Sequence, residues 1–325
     1  MPPAISLPSH AGRMRSLRPN DLNSISSLAV IRNESEASNS DPSRDSSALI
    51  VWSLGQERLK LNARHSHPTF VEKCFVVVQI RLCVTTMRAF IVHAHHEPAS
   101  FNGSMTRAAT AALLGAGHEV VVSDLYAMGF NPVSGRHNFT TVKDASYLRQ
   151  QQEEIYATEH NGFAPDIREE MEKLFWCDVL IFQFPLWWFG LPAILKGWVD
   201  RVFAMRRIYG GGVYYDHGVF RGKRAMCSVT IGGRAPMYSE YGLNGPISTI
   251  LFPIHHGILY FTGFSVLEPF LVHATARLSQ EERAAHLVRY EHRVLELETA
   301  PGISFPKLDE YDDNGVLKPE VLSDT

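Results

Sequence analysis

From Met87 onward, short and almost wholly apolar runs alternate with segments of helical spacing, and this alternation limits the fold more than any other feature. The runs are Arg88–Ala94 (RAFIVHA), Glu119–Ser123 (EVVVS), Asp178–Phe184 (DVLIFQF), Arg224–Thr230 and Phe264–Val272. Runs of this length without polar alternation suit strands covered on both faces, as in parallel sheets. Between them, Asn102–Ala116 is rich in Ala and Leu, and Asp166–Trp176 carries Ile167, Met171, Leu174 and Phe175 on one face. Pro192–Met205 and Ser279–Leu297 complete the helices, with Ser279 suited to an N-cap. The expected fold class is α/β, a doubly wound sheet of five parallel strands with helices on both faces.

In such sheets ligands bind beyond the carboxyl ends of the strands. The three least ordinary segments all fall there: HHEPASFNG after the first run, PLWWFG after the third and TIGGRAPMY after the fourth. His95–Asn102 leads into a helix, whose first N–H groups favour an anion such as a phosphate, although Ser or Asn there also serves as a plain N-cap. Trp187, Trp188 and Phe189 read either as core or as a surface on which a flat ring stacks. Gly232 and Gly233 allow close backbone approach and offer two successive N–H groups, or make a simple turn; Tyr238 follows with a phenol. Gly210–Gly212, between Tyr209 and Tyr214, reads as a mobile loop bordering a pocket or as a linker. Ile247–Phe261 is apolar nearly all round apart from His255 and His256, so it belongs in the core or in a subunit interface.

Other chemistries are disfavoured. Neither a GxGxxG fingerprint nor a Walker loop is present, which argues against a permanently bound dinucleotide of the dehydrogenase type. His93, His95 and His96 have only Glu97 as a nearby carboxylate, so no metal is expected. A net charge of −3 and an apolar fraction of 45% give no reason to expect nucleic acid or an anionic membrane as partner. Cys74, Cys83, Cys177 and Cys227 form no CxxC pair, and a reducing cytoplasm fits best. Residues 1–86 are rich in Ser, Arg and Asn without a sustained period, and are expected to be an unstructured extension or an upstream stretch outside the folded unit; residues 87–325 form the domain. Arg13, Arg15 and Arg18 without an acid match the composition of a mitochondrial presequence, but no amphipathic stripe accompanies them.

Taken together, HAHHEPASFN, SDLYAMGFNP, FAPDI, LIFQFPLWWFGLPAILKGWVDRVF, TIGG followed by MYS, and GF-x-VLEP resemble the NAD(P)H:quinone reductases of the DT-diaphorase type, from about Met87 to Arg283. The resemblance implies a flavodoxin-like fold, tightly bound FAD, NAD(P)H as co-substrate, two-electron ping-pong hydride transfer to a quinone, and a homodimer with shared active sites. It implies that His95, Phe101 and Asn102 lie at the FAD phosphates, that Leu186, Trp187, Trp188 and Phe189 run along the flavin, and that Thr230, Ile231, Gly232, Gly233 and Tyr238 form a second flavin loop. Arg283 matches a residue near the adenosine end. Tyr209, Trp188, Phe189 and Phe261 match the substrate pocket, some of them reaching across from the partner. Gly232, Gly233 and Tyr238 would meet charge at the flavin edge, while Asn244 stands where the type enzyme has a histidine and would orient substrate. Gly211 replaces a pocket tyrosine and should widen the pocket. His256 matches one metal ligand of a second branch, but Tyr260 replaces the other and no cysteine follows Cys227, so again no metal is expected. Two other functions fit the same resemblance: a flavin reductase for azo or nitro acceptors, and a flavin-binding regulatory subunit of an ion-transport system.

Overall fold

The computed structural model describes residues 86–322. The expectation for residues 1–86 lies outside these, apart from Thr86. The elements in chain order are β1 (Arg88–His93), α1 (Phe101–Gly115), β2 (Glu119–Asp124), α2 (Gln150–His160), α3 (Pro165–Trp176), β3 (Val179–Pro185), α4 (Ala193–Val202), β4 (Arg224–Ile231), α5 (Ile247–Ile254), β5 (Ser265–Val266), β6 (Phe270–His273) and α6 (Gln280–Leu295). The strands pair in the order β2-β1-β3-β4-β5, with β6 also on β4, and every pairing is parallel. This is the flavodoxin-like order, in which the chain first winds one way from β1 and then the other.

The period-two pleat divides the apolar runs between two cores. Phe90, Val92, Leu180, Phe182 and Phe184 face Ile167, Met171 and Leu174 of α3 and Leu195, Trp198 and Val202 of α4. Ala89, Ile91, Val179 and Ile181 face Met105, Ala109 and Leu113 of α1 and Tyr290 and Val294 of α6. Both faces of the sheet are thus covered, as the uninterrupted apolar runs required.

The fifth strand differs from expectation in being split. Ser265 pairs with Arg224, but Phe270 pairs with Ser228, so one extra residue enters between them. Pro269 sits in that interruption and has no N–H to give to a ladder. Helix α2 had no counterpart in the sequence reading. Its buried residues are Ala157 and two carboxylates, Glu153 and Glu154, so it presents no apolar stripe. Glu153 accepts the N–H groups of Lys143 and Asp144, and Glu154 that of Met205, which anchors the helix through polar bonds. The segment Ile247–Phe261 is helical but widens to a π-helix over His255–Tyr260, just after Pro253. Leu251, Ile254, His255 and Leu259 are buried, whereas Phe252, Pro253 and Gly257 are exposed, so within one chain only one side of this helix is covered.

Candidate active site

The carboxyl ends of β1, β3 and β4 open into three loops whose backbone N–H groups are in part unpaired among the described residues. In the first, Ser100 caps α1 by accepting the Gly103 N–H, and Glu97 accepts that of Ala99. Gly103 is required here, since a Cβ would overlap the Pro98 carbonyl oxygen. The N–H groups of Phe101 and Asn102 have no acceptor among the described residues. His95 Nδ1 accepts the Glu97 N–H at 3.0 Å, which puts the ring proton of the neutral imidazole on Nε2. Partial burial, helped by neighbouring His96, holds the His95 pKa below its ordinary value. His95 and His96 stack at 4.7 Å, and both lie against Trp187, at 6.1 and 5.8 Å.

The second loop is a two-residue turn. Trp187 and Gly190 exchange backbone hydrogen bonds at 3.3 and 3.0 Å, and the residues between them, Trp188 and Phe189, have φ of +50° and +58°. Two positive φ values in succession mark a type I′ turn, a conformation that favours Asn and Gly and is costly for aromatic residues. Trp188 is 98% exposed and Phe189 52%, so among the described residues little packing compensates that strain. Leu186, just before the turn, donates its N–H to the Thr230 carbonyl and ties this loop to the third.

The third loop begins at buried Thr230 and Ile231. Gly232 and Gly233 donate no backbone hydrogen bond among the described residues, while the Gly233 carbonyl accepts the Ala274 N–H. The Tyr238 ring covers Gly233: a Cβ there would lie 2.8 Å from Cε2 and 3.0 Å from the hydroxyl oxygen. The same ring lies 5.5 Å from that of His273, at the end of β6. Asn244 is bonded to this loop through its N–H to the Met237 carbonyl, at 2.9 Å.

One polar chain beneath the loops joins the first to the third. Gln183 Nε2 donates to Asn102 Oδ1 at 2.9 Å, and Asn102 Nδ2 donates to Thr230 Oγ1 at 2.8 Å. Asn102 is only 4% exposed and its side chain is bonded inward, while its backbone N–H has no acceptor among the described residues. Phe101 is half-buried and packs toward α6 and β6 with the second core. Arg283, in the first turn of α6, donates to the carbonyls of Leu278 and Thr275 at 3.2 Å each.

Tyr209 and Phe261 form a separate cluster. Their rings lie 5.7 Å apart, and Tyr214 stacks on Phe261. Together with Gln151, Glu154, Asp200 and Ile258 they line a cavity of about 420 Å³. No ring contact or hydrogen bond joins this cluster to Trp188, Phe189, Tyr238 or Asn244 among the described residues. The loop before it is turned sharply. Arg206 has φ of +68°, Gly210–Gly212 all have positive φ, and the Arg206 guanidinium lies where a side chain at 211 would be. The space expected from Gly211 is thus taken by the distal end of the exposed Arg206 side chain. His256 is enclosed by Phe252, Tyr215, Tyr260 and Phe305, and Tyr260 donates to the Pro306 carbonyl at 2.9 Å.

Neither spacing nor composition singles out His273, Gln183 or Arg206. His273 was legible in principle, as the last residue of an apolar run at the ligand-binding edge. The other two act through bonds and overlaps that no linear pattern encodes.

Comparisons with known proteins agree with this geometry. Residues 87–295 match a protein family described as having a flavodoxin-like fold. NAD(P)H dehydrogenase (quinone) 1 of Rattus norvegicus is 45% identical over 208 residues, covering 64% of this chain and 76% of that protein. Ribosyldihydronicotinamide dehydrogenase (quinone) of Homo sapiens is 41% identical over 208 residues, covering 64% of this chain and 90% of that protein. A solved structure from Klebsiella pneumoniae superposes with a TM-score of 0.69 at 39% identity, over 72% of this chain and 95% of its own.

Proposed function

The chain belongs to the family of quinone reductases with a flavodoxin-like fold, and from that footing we propose that it is an FAD-dependent NAD(P)H:quinone oxidoreductase that works as a homodimer in the cytoplasm. The observation that carries this reading is the convergence of the three loops. Among the described residues each offers backbone N–H groups without an acceptor, and one holds two aromatic rings at positive φ with little packing to explain them.

The residues fit a flavin dinucleotide. His95 Nε2–H and the N–H groups of Phe101 and Asn102 would bind its phosphates, at a helix N-terminus where negative charge is favoured. Leu186, Trp187, Trp188 and Phe189 would run along the ring system. Thr230, Ile231, Gly232, Gly233 and Tyr238 would hold its polar edge, and Arg283 the adenosine end. When bound, the flavin supplies two-electron hydride chemistry, and the protein supplies orientation and electrostatics.

The work of the chain is then positional. Gly232 and Gly233 present N–H dipoles, and Tyr238 a hydroxyl, toward the edge where negative charge develops. They are set in advance, because the Gly233 carbonyl is tied to Ala274 and the Tyr238 ring rests on Gly233. Asn244 orients a substrate oxygen. Reduced nicotinamide and quinone use the same aromatic pocket in turn, which makes turnover ping-pong. Tyr209 and Phe261 complete that pocket from the second subunit, which also covers the exposed Trp188 and the uncovered side of α5.

Steady-state assay of the purified protein with NADH, NADPH and dihydronicotinamide riboside against several quinones tests the reaction, and chromatography of the cofactor released on denaturation tests its identity. Parallel-line kinetics and released FAD are expected. Mainly FMN in the released fraction would overturn the cofactor assignment, and turnover confined to azo or nitro acceptors would overturn the quinone reading.

A further inference from the structure

We infer that Arg206 is a specificity-determining residue which places a positive charge at the Tyr209 side of the substrate pocket and selects substrates that carry an anionic group. The inference rests on the proposed quinone reductase function, since it is that reading which makes Tyr209 a pocket residue.

The structural argument begins with two glycines and one strained arginine. A Cβ at Gly211 would overlap Arg206 Nη1, and its Cζ lies only 2.9 Å from that Cβ position. Gly211 also has φ of +68°, so its backbone disfavours a side chain, and the space beside it is taken by the distal end of the exposed Arg206. At Gly210 the corresponding space is filled by Met205, whose Cε lies 2.8 Å from the Cβ position. The chain thus folds back so that the side chains of Met205 and Arg206 lie over the backbone of Gly210 and Gly211. Arg206 pays for this geometry with its own φ of +68°, outside the regions an arginine normally occupies. The turn is closed by the Arg206 N–H, which donates to the Tyr209 carbonyl at 2.6 Å, so guanidinium and phenol stand on the same tight loop.

The guanidinium has no evident structural task. It makes no hydrogen bond or ion pair with any described residue, and Arg206 is exposed. Its neighbour Arg207 instead packs over the Phe175 ring, and Arg201 is bonded to Asn138, Asn131 and Asp166. A planar fork of N–H donors with nothing to hold is suited to a carboxylate, sulfonate or phosphate, which it can bind through two parallel bonds. The guanidinium lies beside Gly211, where the resemblance places a second tyrosine, and adjoins the Tyr209 cavity without lining it; the charged groups that do line it are Glu154 and Asp200. The anion that Arg206 recognises is carried either by the acceptor, as a carboxylate or sulfonate on the quinone ring, or by the donor, as the phosphate of NADPH.

The test compares the wild-type holoenzyme with Arg206→Gln and Arg206→Lys. The value of kcat/KM is measured for 2-methyl-1,4-naphthoquinone and for 1,2-naphthoquinone-4-sulfonate, each with NADH and with NADPH. If the acceptor carries the anion, Arg206→Gln lowers the sulfonated-to-neutral ratio by about fivefold, the scale of one solvent-exposed ion pair. If the donor carries it, the NADPH-to-NADH ratio falls instead. In either case Arg206→Lys retains most of the ratio, and raising the salt to about 1 M lowers it in the wild type by screening. Both ratios unchanged in Arg206→Gln would overturn the inference. Should the wild type reduce no quinone at all, the functional reading fails first. The anion site is then judged by calorimetric binding of 2-naphthalenesulfonate against 2-naphthol. About fivefold weaker sulfonate binding in Arg206→Gln supports it, and equal binding in both proteins overturns it.

Discussion

Replacing Asn102 by Ala removes the middle link of the chain that joins the first loop to the third. Two bonds are lost, at 2.8 and 2.9 Å, and their partners are buried: Gln183 is 0% and Thr230 5% exposed. Among the described residues Gln183 Oε1 already lacks a partner, so the Gln183 side chain would keep only its 3.8 Å contact with the Met105 sulfur. Each orphaned buried group costs about 1–3 kcal/mol, partly relieved where water enters the space left by the amide. A net loss of about 3 kcal/mol follows, or roughly 6–12 °C in Tm for a domain of this size. The assay is thermal and urea unfolding of the flavin-loaded and flavin-stripped protein at one fixed concentration. Flavin bound only by the native state raises Tm, and the gap between the two forms reports its affinity. Asn102 sits in the first turn of α1 and Thr230 at the end of β4, so the substitution should also narrow that gap, by loosening the free N–H groups of both loops. Pairing it with Thr230→Val in a double-mutant cycle should give a coupling of about 1 kcal/mol. A fall in Tm below about 2 °C, with the gap intact, would refute the reasoning, since it would mean that water replaces the network at no cost.

Tyr238→Phe should slow hydride transfer to the flavin more than Asn244→Ala does, by up to roughly a hundredfold if the site is well preorganised, because Asn244 cannot titrate and holds only a substrate oxygen. Stopped-flow absorbance measures this, and Asn244→Ala should appear mainly in the quinone KM; the reverse order of effects would show the roles to be exchanged. His255 is buried with Nε2 unpartnered among the described residues, and desolvation lowers its pKa to about 4. Because the folded state disfavours the charged ring, its contribution is fully present above the unfolded pKa near 6.5 and is lost as pH falls toward 4, amounting to roughly 3 kcal/mol at most. His255→Leu should therefore flatten the acid limb of the stability profile measured by urea titration between pH 4 and pH 7, and an unchanged limb would assign the acid sensitivity elsewhere.

Much of this protein could be read from the chain alone, because the informative features are local. Uninterrupted apolar runs have no choice but a sheet covered on both faces, and a strand that ends in Gly-Gly or in a cluster of aromatics ends at the ligand-binding edge. Those features place three loops at the carboxyl ends of parallel strands; the order of the strands comes from the tertiary structure. They say nothing where the cause is not apolar periodicity. Helix α2 is held by carboxylates accepting N–H groups from distant residues, and the fifth strand is broken by a single proline that the run FSVLEPFLV hides among apolar neighbours. The site divides in the same way. Which residues crowd the carboxyl edge was legible, but what they do there depends on direction and distance. Only the tertiary structure turns the Asn102 amide inward to Thr230, sets Trp188 and Phe189 at positive φ in the open, and lays the Arg206 guanidinium over Gly211. Hydrogen bonds and close contacts between residues far apart in the chain decide these matters, and neither spacing nor composition records them.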